Sequence, residues 1–318
     1  MNKEDLRKYK PYVASKFDKY PEKVERGESV AIIQYQHDYR CNMKCEHCCI
    51  DDLRKVKKDR CFGLDDVANL SFQADRLGLA HIVLTGGEPL FFKDFDWVIE
   101  ALNPDKHYIT IDSNGWLLDK KMAKHLRRLG VDKVQLSMDS LIPDEHDQFR
   151  GKPESFLRCV QAIDACKDVG LYVIIATTVT KPRVYSREFV EFLQWAKRRE
   201  VGVFVTFLKP VGAASNMQDL MVGRKEIDYV HRLGKIYNVF THLTPSHGLD
   251  LGCIAVKRMV SIQKWGDVTP CPYDHRVLGN FFEEPLKDIL ERGMKAFSCR
   301  IDTCYMADKK GGHLAPDI

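Results

Sequence analysis

The feature that most constrains the fold is a regular alternation of short apolar runs with longer amphipathic segments. The apolar runs are rich in Val and Ile and occupy residues 30–35, 81–85, 107–112, 132–137, 171–179 and 202–207. The amphipathic segments lie between them, at residues 64–78, 94–102, 118–129, 153–169 and 186–199. This alternation predicts a parallel sheet built from βα units. Six units are too few for a closed eight-stranded barrel, so we expect an α/β fold with a partial (β/α)6, TIM-like barrel.

The alternation defines a central unit at residues 30–210 and leaves three flanking segments. Residues 1–29 are charged with a weak helical pattern, and they predict an N-terminal helical cover. Residues 251–318 predict a small C-terminal unit with a β-hairpin around Gly266 and a helix near 284–295. Residues 211–250 are irregular, and we interpret them as the variable wall of a substrate site. The polar residues that this hypothesis places on the wall are Asn216, Gln218, His242 and His247.

The composition argues against several broad classes of protein. The 318 residues carry a net charge of +4 that is spread along the chain, which indicates no nucleic-acid interface. No apolar run reaches the roughly 18 residues of a spanning helix, and the first residues lack the apolar segment of a secretory signal. We therefore expect a cytoplasmic protein without a membrane span. Eleven cysteines in a reducing compartment are typical of metal binding or catalysis.

Three cysteines, Cys41, Cys45 and Cys48, follow the first predicted strand within eight residues. They lie where parallel α/β folds place their reactive groups, at the carboxyl end of a strand. Three thiolates can hold an iron–sulfur cluster and leave one iron open for a ligand that is not protein. The alternative is a zinc site completed by Cys49 or His47, which is disfavoured because adjacent residues rarely bind the same tetrahedral ion.

The second predicted strand runs into Gly86-Gly87-Glu88-Pro89. Two glycines at a strand end allow a ligand to approach the backbone closely, and Glu88 offers a carboxylate to a cationic group on that ligand. On its own, this sequence is equally typical of an ordinary turn between a strand and a helix. Because neighbouring parallel strands end at the same edge of a sheet, we expect the glycine turn and the three cysteines to face one site.

The cysteine loop CNMKCEHC, followed by GGEP after the next strand, resembles the radical S-adenosylmethionine (SAM) superfamily over about residues 30–210. The resemblance implies a [4Fe–4S] cluster on Cys41, Cys45 and Cys48, with SAM bound to the open iron through its amino and carboxylate groups. It also implies the reaction type, in which reductive cleavage of SAM gives a 5′-deoxyadenosyl radical that abstracts a substrate hydrogen. The electron would come from a reductant such as flavodoxin or ferredoxin.

Further SAM-binding residues follow from the same resemblance. It implies that the backbone at His47 meets the adenine and that Gly86, Gly87, Glu88 and Pro89 hold the methionine amino group. The other positions that it implies around SAM are Ser113, Ser137, Arg150 and Leu208. Of these, the arginine would meet the SAM carboxylate and the leucine would pack on the adenine. For the serines and the arginine, the alternative is an ordinary cap or surface ion pair.

A second group of cysteines brackets the predicted C-terminal hairpin. The pattern resembles the twitch form of the SPASM auxiliary-cluster domain over about residues 251–306. It implies a second [4Fe–4S] cluster on Cys253, Cys271, Cys299 and Cys304. That family commonly ends with a Cys-x2-Cys pair, whereas four residues separate the last two cysteines here. The alternative is a set of scattered buried cysteines, which is what helical spacing predicts for Cys159 and Cys166.

Three reactions are compatible with these motifs. In a dehydrogenase, the auxiliary cluster accepts the electron left after hydrogen abstraction from a small hydroxylated or amino-sugar-like substrate, by analogy with the twitch dehydrogenases of aminocyclitols. An epimerase needs a thiol that returns a hydrogen atom, and Cys61 and Cys49 are the two candidates. A peptide-modifying enzyme is the third, although only residues 1–29 precede the first predicted strand, where many such enzymes carry a peptide-binding domain. A non-catalytic iron–sulfur electron carrier is disfavoured by the pairing of the cysteine loop with GGEP.

Overall fold

A single ten-stranded sheet organises the part of the chain that the computed structural model describes, which is residues 3–298, 300 and 302–306. The strands are β1 (Ile32–Asp38), β2 (His81–Gly86), β3 (Tyr108–Ser113), β4 (Lys133–Ser137), β5 (Tyr172–Val179), β6 (Gly202–Phe207), β7 (Val239–Phe240), β8 (Met259–Ile262), β9 (Asp267–Thr269) and β10 (Gly279–Asn280). Their order across the sheet is β10-β9-β8-β1-β2-β3-β4-β5-β6-β7, and the pairs from β1 to β7 are parallel. The sheet does not close, so the barrel is partial.

Helices connect these strands and cover the outside of the sheet. They are α1 (Lys3–Tyr9), α2 (Pro11–Asp18), α3 (Tyr20–Glu25), α4 (Leu64–Arg76), α5 (Phe95–Ala101), α6 (Lys120–Arg128), α7 (Pro143–Arg150), α8 (Ser155–Asp168), α9 (Lys181–Val184), α10 (Arg187–Arg198), α11 (Arg224–Leu233) and α12 (Leu286–Ala296). The six strands and five helices predicted from the alternation are confirmed within three residues at each end. Within the described residues, no helix combines the length and the apolarity that crossing a bilayer requires.

The two faces of each barrel strand differ in chemistry. On β1, Ile33 and Tyr35 are fully buried in the main apolar core, which they share with α4 residues such as Leu70. The alternate residues of the same strand, Gln34 and Gln36, line an internal cavity. Successive strand side chains point to opposite faces, so one apolar face packs on the helices and one polar face lines the barrel interior.

Strands beyond the six predicted barrel strands extend the sheet on both sides. On one side, the two-residue strand β7, which lies inside the segment 211–250 and was not indicated by the sequence, pairs with β6. The predicted C-terminal hairpin is confirmed as β8 and β9, which pair antiparallel through Ile262 and Val268. Strand β8 also pairs in parallel with β1, so the hairpin continues the barrel sheet directly. Cys253 precedes β8 and Cys271 follows β9, so both lie at the end of the sheet where β1 begins, opposite to the cysteine loop that follows β1.

The N-terminal helices cover the amino-terminal ends of β2 and β3. The ammonium of Lys16, on α2, donates to the carbonyl oxygens of Leu79 at 3.1 Å and Lys106 at 2.7 Å, and it forms an ion pair with Asp75 at 2.6 Å. The hydroxyl of Tyr20 accepts a hydrogen bond from the Ala80 amide at 2.8 Å. The lysine therefore satisfies backbone groups that the start of the parallel strands leaves unpaired.

We expect Lys16→Met to lower the free energy of unfolding by about 2 kcal/mol, because it removes the shorter ion pair of the Asp75 carboxylate and the ammonium that donates to two carbonyl oxygens. Urea denaturation checks this value. The matched control is Lys19→Met, which changes an exposed lysine of the same segment and should leave the midpoint unchanged. Equal midpoints for the two variants would contradict the role given to Lys16.

Candidate active site

Both predicted groups of cysteines line one internal cavity of about 620 Å³. Cys41, Cys45 and Cys48 follow β1 on one side of it. Cys253, Cys271 and Cys304 line the same cavity from the C-terminal unit. All the cysteines in the described part of the chain are free thiols. The fourth predicted ligand of the C-terminal group, Cys299, lies outside the described residues.

Backbone contacts fix the cysteine loop against the end of β2. The amides of Gly87 and Glu88 donate to the carbonyl oxygens of Asp38 and Arg40, at 2.8 and 2.9 Å. A Cβ on Gly86 or Gly87 would overlap these same two carbonyl groups. The glycine pair was predicted to admit a ligand, whereas the backbone that approaches it here is that of the cysteine loop. Its part in holding SAM stays a prediction.

The other end of the cysteine loop is held in the same way from β6. The amide of Ala213 donates to the carbonyl oxygen of Cys48 at 2.9 Å, in the turn that follows β6. The neighbouring Gly212 has a φ of +59°, and a Cβ there would overlap the Cys48 carbonyl. On a third side, the amide of Glu46 donates to the carbonyl oxygen of Phe149 on α7, at 3.0 Å. Three separate elements therefore hold the three cysteines through main-chain contacts.

Glu88 connects the ends of β2 and β3 below the cysteines. Its carboxylate accepts hydrogen bonds from the Ser113 hydroxyl at 2.7 Å, the Asn114 amide at 2.7 Å and the Leu90 amide at 3.2 Å. Burial raises the pKa of Glu88 to about 7, although these hydrogen bonds oppose the shift. Ser113 therefore lies at the predicted site and orients Glu88. The Asn114 side chain in turn donates to Asn42 of the cysteine loop, at 2.8 Å.

Arg150 lies directly beside the cysteine loop. Its guanidinium pairs with Asp139 at 2.6 Å and donates to the Cys45 sulfur at 3.8 Å. The Nε atom of Arg150 is buried and has no partner among the described residues. The His47 ring stacks on Phe149 with 4.2 Å between ring centres, and burial, followed by the Arg150 charge, lowers the pKa of His47 to about 4. The histidine is therefore neutral at physiological pH and adds no charge to the site.

The cavity brings together most of the residues predicted to contact SAM. Besides the three cysteines, the predicted residues that line it are His47, Gly86, Gly87, Glu88, Ser113, Ser137, Arg150 and Leu208. Pro89 does not line it but begins a short 3-10 turn at Pro89–Phe91. Of the predicted substrate wall, His242 and His247 line the cavity, whereas Asn216 and Gln218 are exposed at the surface. The SAM contacts themselves stay predictions.

The two candidate hydrogen donors occupy different environments. Cys49 lines the cavity, and burial, with a smaller contribution from Cys48, raises the pKa of its thiol to about 12. Two other residues that line the cavity also act on its pKa: the Lys209 charge lowers it and the Cys271 charge raises it. Cys61 is exposed and is not among the residues that line the cavity. The structure therefore brings Cys49, and not Cys61, to the site.

Iron–sulfur clusters fit this arrangement of thiols. No three His, Cys, Asp or Glu side chains of the described residues converge on a position for one metal ion, so the cysteines line a cavity wall and do not form a single-ion cage. Burial raises the pKa of Cys41 and Cys271 to about 11 and that of Cys253 to about 12. Thiols this poorly ionised need a bound cation to become thiolates, and iron supplies that charge.

Sequence reasoning missed several charged and polar residues of the same cavity. The most prominent are Arg54, Asp112, Lys133, Gln135 and Lys209. Arg54 acts on the charges of both Cys41 and Cys48. A sequence signal existed for part of this set, because polar side chains alternate with Val, Ile and Leu on β3 and β4. In a barrel strand, such alternation indicates a polar interior.

We expect Gly212→Ala to reduce the iron bound by the cysteine loop, because the added methyl group displaces the Cys48 carbonyl. Iron content and thermal unfolding after anaerobic reconstitution check this. Gly27→Ala is the matched control, since Gly27 also has a positive φ, of +72°, but its Cβ would meet nothing within 4 Å. Equal amounts of bound iron in the two variants would contradict the role given to the close approach at Gly212.

Curated relatives share part of the chain. A GTP 3′,8-cyclase of Helicobacter pylori is 30% identical over 213 residues, which cover 66% of this chain and 64% of the relative. An AdoMet-dependent heme synthase of Nitratidesulfovibrio vulgaris is 24% identical over 303 residues, covering 85% of this chain and 81% of the relative. The matches to the GTP 3′,8-cyclases span between about half and two thirds of those proteins.

Solved structures share the fold at low sequence identity. SuiB of Streptococcus suis, bound to its precursor peptide SuiA, superposes with a TM-score of 0.66 and 20% identity, covering 91% of this chain and 75% of SuiB. The enzyme anSMEcpe with bound AdoMet superposes with a TM-score of 0.61 and 18% identity, covering 83% of this chain and 81% of the other. At these identities, the similarities show a shared fold only.

Two family models match the two cysteine-bearing regions. The model of the iron–sulfur cluster-binding SPASM domain matches residues 253–309. The model of the radical SAM superfamily matches residues 35–196, just over half of the chain. The expected membership of the radical SAM superfamily and the expected SPASM-type domain are therefore confirmed. The cofactors are SAM and two [4Fe–4S] clusters. The chain belongs to the radical SAM superfamily and carries a SPASM-type cluster domain.

Proposed function

We propose that this enzyme is a dehydrogenase that oxidises a small hydroxylated or amino-sugar-like substrate. The observation that carries the proposal is the shared cavity, because both groups of cysteines line the space in which a substrate would bind. When bound, the first cluster and SAM supply the radical that removes a hydrogen atom from an alcohol carbon, and the second cluster supplies the acceptor for the remaining electron as the hydroxyl proton leaves. In the same proposal, the enzyme is cytoplasmic and takes electrons from a flavodoxin- or ferredoxin-type protein.

The residues around the first cysteines support the binding of the radical-generating group. Arg150 and Arg54 place positive charge beside the thiols of Cys45, Cys41 and Cys48. These cations offset the negative charge of three thiolates and of a carboxylate on the ligand. Glu88, already fixed by three hydrogen bonds, offers its carboxylate to an amino group without a conformational change.

The cavity favours a small substrate over a peptide. Its volume of about 620 Å³ has to accommodate SAM beside the substrate, and ligand pockets for small molecules have comparable volumes. The N-terminal helices limit it from below, since Leu6 and Phe17 are part of its lining. His247 stacks on Phe17 with 4.5 Å between ring centres and narrows the same region. Peptide modification is the alternative, and it requires a peptide side chain to enter the cavity from the surface.

We expect Cys271→Ser to retain SAM cleavage but to lose the oxidised product, and to reduce bound iron from about eight to about four atoms per chain. The assay is anaerobic, with SAM, dithionite and a small-molecule extract, followed by mass spectrometry of the extract and of 5′-deoxyadenosine. Cys61→Ser is the control, because this exposed thiol lies away from the cavity. Oxidised product at the unmodified rate from Cys271→Ser would contradict the role proposed for the second cluster.

Epimerisation is the second candidate, and the position of Cys49 on the cavity wall favours it specifically. A dehydrogenase should incorporate no deuterium at carbon when the reaction runs in deuterated water. An epimerase should incorporate one deuterium from an exchangeable thiol, and Cys49→Ala should remove that incorporation while SAM cleavage continues. Mass spectrometry of the product distinguishes the two reactions, with Cys61→Ala as the control. Deuterium at carbon that depends on Cys49 would exclude the dehydrogenase.

A further inference from the structure

The interior of the barrel carries a set of polar residues to which the predicted cluster and SAM contacts assign no role. In closed eight-stranded barrels the interior is usually filled by branched apolar side chains, whereas this partial barrel encloses a cavity. Here Gln34 of β1, Asp112 of β3, and Lys133 and Gln135 of β4 all line the cavity. Asp112 is paired in register with Gln135, and Lys133 with Thr110, so these side chains share the inner face of neighbouring strands. We call these four residues the interior polar group.

The hydrogen-bonding capacity of this group is only partly used. The side-chain amide of Gln34 donates to one carboxylate oxygen of Asp112 at 3.2 Å. The other carboxylate oxygen of Asp112 and the amide oxygen of Gln34 are buried, and neither has a partner among the described residues. Polar atoms in this condition are costly in a folded protein unless a water or a ligand reaches them.

Lys133 adds an unpaired cation to the same place. Its ammonium makes no hydrogen bond or ion pair with a described residue, and the Tyr108 ring centre lies 6.0 Å from it. Burial lowers the pKa of Lys133 to about 8, and the Asp112 charge opposes this shift. Burial likewise raises the pKa of Asp112 to about 6, with Lys133 opposing it. The two side chains therefore lie in each other's field without direct contact.

The interior polar group lies deeper in the barrel than the residues predicted to contact SAM. Lys133 precedes Ser137 by four residues on β4, which corresponds to about 13 Å of strand. Gln34 likewise precedes Asp38, at the end of β1, by four residues. Only Asp112, next to Ser113, is close to the level of the strand ends. A molecule that contacts all three would extend from the strand ends into the barrel.

We propose that Gln34, Asp112 and Lys133 form a substrate subsite for a primary ammonium with an oxygen acceptor on a neighbouring carbon. The ammonium of the substrate donates hydrogen bonds to the two unpartnered oxygens of Asp112 and Gln34, and the oxygen acceptor of the substrate accepts a hydrogen bond from the ammonium of Lys133. Each buried charge thereby gains an opposite or complementary partner. Amino alcohols, which include amino sugars, and amino acids both carry this arrangement. The inference rests on the proposed function and specifies its substrate.

The test measures binding to the reconstituted holoenzyme with SAM, so that turnover is not needed. Equilibrium dialysis with radiolabelled D-glucosamine, L-serine and D-glucose compares an amino sugar, an amino acid and an amine-free sugar. We expect an amine to bind in preference to glucose, with glucosamine indicating the amino-alcohol class and serine the amino-acid class. Asp112→Asn and Lys133→Met should each weaken that binding by about tenfold or more. Lys133→Arg, which keeps the cation, should retain part of the affinity.

Lys120→Met provides the matched control, because it makes the same chemical change at an exposed lysine on α6. Its binding should equal that of the unmodified protein, and iron content verifies that each variant has folded. The inference is overturned if glucose binds as well as the amines, if neither amine binds, or if Asp112→Asn and Lys133→Met leave binding unchanged. Failure of the proposed function would differ from these results, because amine binding would then persist without an oxidised product.

Discussion

The site depends on main-chain contacts that hold the cysteine loop from three sides. Gly87 and Glu88 hold its beginning, the carbonyl of Phe149 holds its middle, and Ala213 holds its end. These hydrogen bonds join segments far apart in sequence, after β2, on α7 and after β6. The three thiols can therefore take their positions only when most of the barrel has assembled. A loop fixed through its backbone also leaves its cysteine side chains free to bind a cluster.

The continuity of the sheet explains how two distant groups of cysteines come to face one space. Strand β8 adds in parallel to β1, and the cysteine loop follows that same β1. The C-terminal unit is thus positioned by the first strand of the barrel and not by a flexible linker. Cys49 lines the same cavity, and the charges of both Cys48 and Cys271 raise the pKa of its thiol.

The sequence predicted the barrel units and the grouping of the first three cysteines, because both signals are local. Apolar runs indicate buried strands, and Cys41, Cys45 and Cys48 lie within eight residues of the chain. The strand β7 was missed because two residues carry no periodicity, and the pairing of β8 with β1 joins residues more than 200 positions apart. From the sequence, Gly86 and Gly87 were interpreted as making room for a ligand. In the structure they make room for the backbone of Asp38 and Arg40, and the local sequence carries no sign of such a contact.

Charge balance links the outer and inner parts of the cavity. The outer cations, Arg54 and Arg150, lie beside thiols that become anionic when iron binds, and Arg150 is also paired with Asp139. Lys133 is four residues deeper on its strand and has no thiol beside it, and Asp112 does not contact it directly. Its charge can be offset fully only by something that enters the barrel. The unpartnered carboxylate oxygen of Asp112 likewise needs a hydrogen-bond donor that enters the barrel. In the described part of the barrel interior, Lys133 and Asp112 therefore favour a ligand that carries groups complementary to both of them.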